Sequence, residues 1–160
     1  HPLHAISQMK TRIRLGDALL LGHDTPVLHE TAYVNDIEQA AAAFAGLDRG
    51  ICLHGHTHLP SIFETPPGDA DASNTTLRIP VPGEPIVLVP DRRYLCNPGS
   101  VGQPRDSDPR ASFAIFEYTS PESESIFTLH RAPYDVEAAR NETELAGLPQ
   151  ILGDRLTMGA

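Results

Sequence analysis

Two histidines separated by a single residue, His56 and His58, are the side chains of this chain best suited to chemistry. An apolar run over 51–53 and a glycine at 55 lead into them, and Pro60 follows. Neutral imidazole is the commonest metal ligand in proteins, and side chains two positions apart point the same way in extended backbone. The spacing predicts a buried strand ending in a tight turn that carries two metal ligands. A plain surface turn stays open as an alternative, because two imidazoles do not complete a site.

A third histidine, His23, ends a second apolar run over 17–22. Ligands gather beyond the carboxyl ends of parallel strands in open α/β sheets, so His23 and His56 are expected to share a site. His54 fits a core or supporting position better than a ligand position. Three further histidines are interpreted as surface or hairpin residues and not as ligands: His4, His29 and His130.

The elements that position these histidines form a strand–helix–strand unit over 17–55. Asn35 is a suitable helix cap, with Glu38 three residues later, and apolar residues at helical spacing predict a helix over 36–47. A helix between two apolar strands implies parallel pairing of those strands.

The rest of the chain predicts a further series of elements, whereas residues 1–16 carry no clear pattern. The predictions are a short strand at 61–64, a mobile surface loop over 65–85, strands at 86–89 and 93–96, an antiparallel hairpin of 112–118 with 125–131, and helices at 136–146 and 149–157.

Bulk composition bounds the class of protein. A chain of 160 residues fits a single domain over 1–160, and its net charge of −9 argues against a nucleic-acid polymer or a membrane surface as partner. It contains no run of ~18 apolar residues that could span a membrane. The two cysteines, Cys52 and Cys96, form no disulfide pattern and favour reduced thiols in a cytoplasmic protein.

Four segments together resemble the calcineurin-like metallophosphoesterases, and most closely the small bacterial members of phosphodiesterase type. They are Gly-His-Thr-His-Leu-Pro at 55–60, Asn-Pro-Gly-Ser-Val-Gly-Gln-Pro-Arg-Asp at 97–106, Asp-Pro-Arg-Ala-Ser at 108–112 and Ala-Pro-Tyr-Asp-Val-Glu-Ala-Ala at 132–139. The resemblance implies an α/β fold, a four-layer α-β-β-α sandwich of two mixed sheets. It also implies two divalent transition-metal ions (manganese, iron, zinc or nickel).

The resemblance assigns His56 and His23 to the second metal and His58 to the first. It implies hydrolysis of a phosphate ester, by preference a diester, through attack of metal-bound hydroxide on phosphorus. The partner would be a small phosphorylated substrate, and a homo-oligomer is compatible with the sequence.

The family's earlier motifs, Asp-x-His, Gly-Asp and Gly-Asn-His, supply a bridging aspartate and a catalytic histidine, and no matching positions occur here. The catalytic residues are therefore unassigned, and the chain is expected to represent the C-terminal part of the domain without its N-terminal strands. A catalytically inactive scaffold that binds other proteins is the alternative function. A purely structural site for one zinc ion ranks last, because such sites are usually closed by four ligands.

The loop after Asn97 carries two arginines, Arg105 and Arg110. A guanidinium can hold a phosphate with two hydrogen bonds, so both are candidate substrate-binding residues. They could equally pair with Asp106 and Asp108 and fasten the loop. Asn97 itself is expected to brace the turn that carries His56 and His58.

Overall fold

The computed structural model describes residues 10, 12–26, 33–68 and 70–160. The strands of this part of the chain are β1 (Arg12–Leu15), β2 (Leu19–Gly22), β3 (Gly50–Leu53), β4 (Pro60–Thr65), β5 (Thr76–Arg78), β6 (Pro85–Leu88), β7 (Arg93–Pro98), β8 (Ala111–Glu117) and β9 (Ser125–Ala132). The helices are α1 (Ile37–Ala43), continued by a 3-10 turn at Phe44–Gly46, then α2 (Val136–Leu145) and α3 (Gln150–Met158).

The strands form two sheets. The large sheet has the order β1-β2-β3-β7-β4-β5 and is mixed: β2, β3 and β7 run parallel, and the pairs on either side are antiparallel. The small sheet has the order β6-β9-β8, and its described pairs are all antiparallel. The predicted α/β sandwich of two sheets is confirmed, as are the parallel strand–helix–strand unit and the hairpin of β8 with β9. The expectation that both sheets are mixed is wrong for the small sheet as the described strands form it, because both of its pairs are antiparallel.

Successive side chains of the large sheet point to its two faces in turn, and each face carries a layer of apolar residues. Leu19 and Ile51 belong to the cluster shared with the small sheet, which includes Phe127 of β9. Their neighbours Leu20 and Cys52 belong to the cluster on the opposite face, which α1 covers. Successive strand residues point to opposite faces, so both faces of β2 and β3 are buried, as expected for parallel strands.

Helix α1 begins one residue later than the sequence pattern indicates. Asp36, not Asn35, is the N-cap, and its carboxylate accepts a hydrogen bond from the backbone N–H of Gln39 at 2.8 Å. The Gln39 side chain in turn accepts from the backbone N–H of Asn35 at 2.8 Å. The cap expected of Asn35 is thus made by Asp36, because Asp caps as well as Asn does, and the return bond from Gln39 goes to the residue before the cap.

A buried arginine fastens α1 to the large sheet. The Arg93 guanidinium donates to the backbone carbonyls of Phe44 and Leu47 at 3.3 and 3.1 Å, and also to those of Pro66 and Gly68. The last carbonyls of a helix lack N–H donors within the helix, and the Arg93 guanidinium supplies donors at the end of this one.

Two stretches depart from the sequence-based expectation. Residues 65–85, expected to be a surface loop, contain β5, which pairs with β4 through Leu77 and Phe63. Residues 12–15, for which no pattern is visible, form β1. Both are edge strands, and β5 is only three residues long, so neither carries a clear periodic signal.

The histidines His4 and His29 lie outside the described residues. His130 lies in β9, as the hairpin interpretation expects, and its ring stacks on Phe113 with 5.4 Å between ring centres. Both cysteines are buried free thiols, and burial raises the pKa of Cys52 to about 12 and that of Cys96 well above its usual value. No helix in the described part of the chain is long and apolar enough to cross a membrane.

Candidate metal centre

The candidate site lies where β2 and β3 end. These strands are parallel neighbours, and they deliver His23 and His54 one residue after their last positions. The backbone N–H of Gly55 donates to the carbonyl of His23 at 3.0 Å, which ties the two strand exits together. The sequence-based expectation that both apolar runs bring their histidines to one edge of the sheet is therefore met.

His23 and His56 come together in this structure. Nε2 of His23 lies 3.3 Å from Nδ1 of His56, and the two rings meet edge to face with 5.1 Å between their centres. Two imidazole nitrogens bound to one tetrahedral ion at ~2.0–2.1 Å stand about 3.3 Å apart. The pair can share one proton as a hydrogen bond or present two lone pairs to a cation, and the observed spacing fits both.

A tyrosine that the sequence pattern does not identify also contacts the His23–His56 pair. The ring of Tyr33 stacks on His56 with 4.3 Å between centres and 24° between planes. On the other side, Arg12 of β1 forms a 3.3 Å ion pair with Asp24, the residue after His23. Neither partner is predictable from spacing, since both contacts join residues far apart along the chain.

The backbone of the histidine turn differs from the extended conformation predicted for it. Strand β3 ends at Leu53, and His56 and His58 have φ angles of 70° and 62°. The alternation argument for these two residues is therefore wrong. This left-handed conformation costs roughly 1–2 kcal/mol for a residue with a Cβ, so the surrounding contacts must hold the turn in place.

His58 is oriented by a different contact from that of His56. Its Nδ1 lies 2.7 Å from the backbone carbonyl oxygen of Gln103. A carbonyl only accepts, so Nδ1 carries the proton and Nε2 holds the lone pair. Metal-binding histidines are commonly oriented by such a bond from the other ring nitrogen. The tautomer required of a ligand through Nε2 is thus already selected.

Asn97, at the end of β7, braces the turn as predicted. Its amide donates to the carbonyl of Gly55 and to the hydroxyl of Thr57, both at 2.8 Å, and its side-chain oxygen accepts from the N–H of Gly99 at 2.9 Å. The side chain is fully buried. One amide therefore joins the histidine turn to the loop that follows β7.

That loop has its own internal supports. Ser100 accepts a hydrogen bond from the N–H of Gln103 at 2.9 Å, which positions the carbonyl that meets His58. Gly99 has a φ of 82°, and a Cβ there would lie 2.9 Å from the Ser112 hydroxyl, so the position requires glycine. A Cβ on Gly102 would meet nothing within 4 Å, so this position does not require glycine for lack of space.

His54 is buried, in agreement with the core or supporting role expected for it. Burial lowers its pKa to about 4, so the ring is neutral at neutral pH. The backbone N–H of His54 donates to the carbonyl of Cys96 at 2.9 Å. Nε2 of the His54 ring has no hydrogen-bond partner in the described part of the chain.

The two candidate substrate arginines have different surroundings. Arg110 is held by Asp108 through a two-pronged ion pair, with N–O distances of 2.9 and 2.6 Å, as the loop-fastening alternative foresaw. Asp106 pairs instead with the buried Arg131 of β9, a partner that the sequence pattern does not identify. Arg105 is exposed, and its guanidinium lies 3.5 Å from the side-chain oxygen of Gln103.

Within the described ranges no three metal-binding side chains converge on one point. The arrangement is a pair, His23 with His56, and a separately oriented His58. Two such half-sites fit the assignment of His23 and His56 to one ion and His58 to another. The three-ligand mononuclear site is not formed by these residues.

Comparison with known proteins places this architecture in a family. The model of the calcineurin-like phosphoesterase superfamily domain matches residues 4–121, and the chain belongs to that superfamily. The structure is similar to a metallophosphoesterase from Sphaerobacter thermophilus, with a TM-score of 0.77 and 34% identity, over 99% of this chain and 61% of that one.

An uncharacterized protein of Methanocaldococcus jannaschii is 36% identical over 105 residues, which are 66% of this chain and 37% of that protein. The chain thus spans less than two thirds of the length of both relatives.

Proposed function

We propose that this protein is a cytoplasmic, metal-dependent hydrolase of a small phosphate ester, by preference a diester. His23 and His56 would hold one divalent ion and His58 another, whose identity among manganese, iron, zinc and nickel is open. The observation that carries the proposal is the 3.3 Å spacing of the His23 and His56 ring nitrogens, which fits a shared ion.

The ions, when bound, supply Lewis acidity toward the phosphoryl oxygens and lower the pKa of water. The residues of the chain itself orient the metal ligands and bind the phosphate of the substrate. Gln103 keeps the proton on Nδ1 of His58, and the brace from Asn97 keeps the histidine turn in its left-handed conformation. Of the two arginines, Arg105 is better placed to contact a phosphate, since its backbone N–H donates to the carbonyl of His58 at 3.3 Å and Asp108 already engages Arg110.

The experiment combines the metal content of the purified protein with hydrolysis of bis(4-nitrophenyl) phosphate. We expect about two metal equivalents and measurable turnover, and about one equivalent with most of the turnover lost in His56→Ala. His130→Ala is the matched control, because this histidine stacks on Phe113 in the small sheet and should leave both readouts unchanged.

Full turnover in His56→Ala would show that the ligand assignment is wrong. One equivalent or less in the wild type, without turnover, would favour the alternative of an inactive scaffold that binds other proteins.

A further inference from the structure

A cavity of about 150 Å³ lies beside the candidate metal centre, and its walls are mainly apolar. Leu59 and Phe63 line it from the histidine turn and β4, and Leu77 and Ile79 line it from β5 and the residues after it. We propose that this cavity binds the neutral aromatic or hydrocarbon ester group of the phosphate substrate, an inference that rests on the proposed function.

Two wall residues of the apolar cavity are chain neighbours of residues at the metal centre. Leu59 is the next residue after His58, and Val34, another wall residue, is the next residue after Tyr33, which stacks on His56. Consecutive Cα atoms lie about 3.8 Å apart. A phosphate between the histidines would therefore have its ester group within reach of these walls.

The charges around the apolar cavity select a neutral group. No lysine or arginine is among the described residues that line it. The charged residue among these described wall residues, Asp106, is paired with Arg131 through Oδ2, and its Oδ1 is buried without a hydrogen-bond partner. A second phosphate or a carboxylate would lose its hydration without gaining a cation, which is costly. Among phosphate esters, this argues against dinucleoside polyphosphates and for a diester, or an aryl monoester, with an uncharged organic group.

The volume sets the size of that group. A cavity of roughly 150 Å³ lined by Leu, Ile and Phe is large enough to bind benzene. One ring or a short branched hydrocarbon fits the apolar cavity, whereas a peptide helix about 10 Å across does not. The walls of β5 are partly exposed, with Leu77 at 40% and Ile79 at 62%, so the group can enter from solvent.

The test measures the affinity of the purified, metal-loaded protein for benzylphosphonate and for methylphosphonate by calorimetry. These ligands share the phosphonate and differ by the ring. We expect about tenfold tighter binding of benzylphosphonate, and a ratio near one in Leu77→Ser and in Ile79→Ser. Val81→Ser is the matched control: Val81 is 51% exposed on the same stretch but does not line the apolar cavity, so the tenfold ratio should persist.

Equal affinities in the wild type, or a tenfold ratio that survives both cavity variants, would overturn the proposal. Hydrolysis of bis(4-nitrophenyl) phosphate, measured on the same sample, separates the two proposals. Turnover with equal affinities leaves the hydrolase and removes the apolar cavity as a binding site. A ring preference without turnover leaves the binding site and removes the hydrolase.

Discussion

The two halves of the candidate centre are held in different ways. On one side, His58 is half-buried, its Nδ1 donates to the Gln103 carbonyl at 2.7 Å, and the loop that carries this carbonyl is bonded to Asn97. On the other side, His23 is exposed, and its ring contacts His56, which in turn stacks on Tyr33. The His58 ring is therefore oriented by a backbone carbonyl, and the rings of His23 and His56 by contacts between rings, while the Asn97 amide braces the turn that carries both His56 and His58.

This difference implies that the His58 half is organised before a ligand arrives, whereas the His23–His56 half gains order from what it binds. Two neutral imidazoles at 3.3 Å share one proton in the absence of a cation. An ion that takes both lone pairs requires the ring that donates this hydrogen bond to move its proton to its other nitrogen, so this half changes tautomer when it binds.

The largest expected effect comes from the Asn97 brace, which supports the backbone of the turn that both halves share. Asn97→Ala leaves the Gly55 carbonyl and the Thr57 hydroxyl without the donor they share, in a fully buried position. We expect a loss of about 3 kcal/mol in the free energy of unfolding, measured with urea. Asn141→Ala, on the exposed face of α2, is the matched control and should cost nothing. A loss below about 1 kcal/mol for Asn97→Ala would mean that water replaces the amide.

A smaller effect follows from loosening the carbonyl that orients His58. Ser100→Ala removes the acceptor that holds the N–H of Gln103 at 2.9 Å. In the His56→Ala background, where the His58 half is the remaining site, we expect about tenfold weaker metal binding in a competition titration with a chelator. Ser120→Ala is the control, because Ser120 bonds only to Ser123 in the turn between β8 and β9. Unchanged affinity would show that the carbonyl needs no support from Ser100.

The fold was largely predictable from hydrophobic pattern. Apolar runs at 17–22 and 51–53 predict buried parallel strands, and alternation at 112–118 and 125–131 predicts the hairpin, close to the observed bounds of β2, β3, β8 and β9. The short strands β1 and β5 were not predictable, because each pairs with a single neighbour among the described strands and their exposed positions leave no periodic signal.

The site was predictable to the level of residue type but not of geometry. The sequence predicts that His23 and His56 come together and that Asn97 braces their turn, and the structure shows both contacts, whereas the metal-binding role of His23, His56 and His58 stays a prediction. Spacing could not give the left-handed φ of the histidine turn, since it arises from bonds made to residues 40 or more positions away. For the same reason Tyr33 and Arg131 carried no signal, as tertiary contacts alone define their roles.

A further prediction concerns the ion pairs of the loop that supports His58. Hydrogen bonds from the Arg110 side chain lower the pKa of Asp108 from 3.8 to about 2. A carboxylate with a lowered pKa in the folded state contributes stability above its ordinary pKa, and that contribution is lost as the pH falls toward 2. The slope of unfolding free energy against pH between about 4 and 2 should therefore be shallower in Asp108→Asn than in the wild type. Asp17→Asn, in an exposed ion pair with Arg49, should leave the slope unchanged. An equal slope in Asp108→Asn would mean that the loop is not fastened by this carboxylate.

The smallest expected effect tests the half held by rings. His23→Ala removes an exposed side chain, while the backbone carbonyl of His23 still accepts from Gly55. We expect a change below about 0.5 kcal/mol in the free energy of unfolding of the metal-free protein. The metal-loaded wild type should be more stable than its metal-free form, and this gain should shrink in His23→Ala, because one ligand of the shared ion is gone. A loss above about 1.5 kcal/mol in the metal-free variant would contradict the comparison, since it would show that the ring contacts themselves hold this half in place.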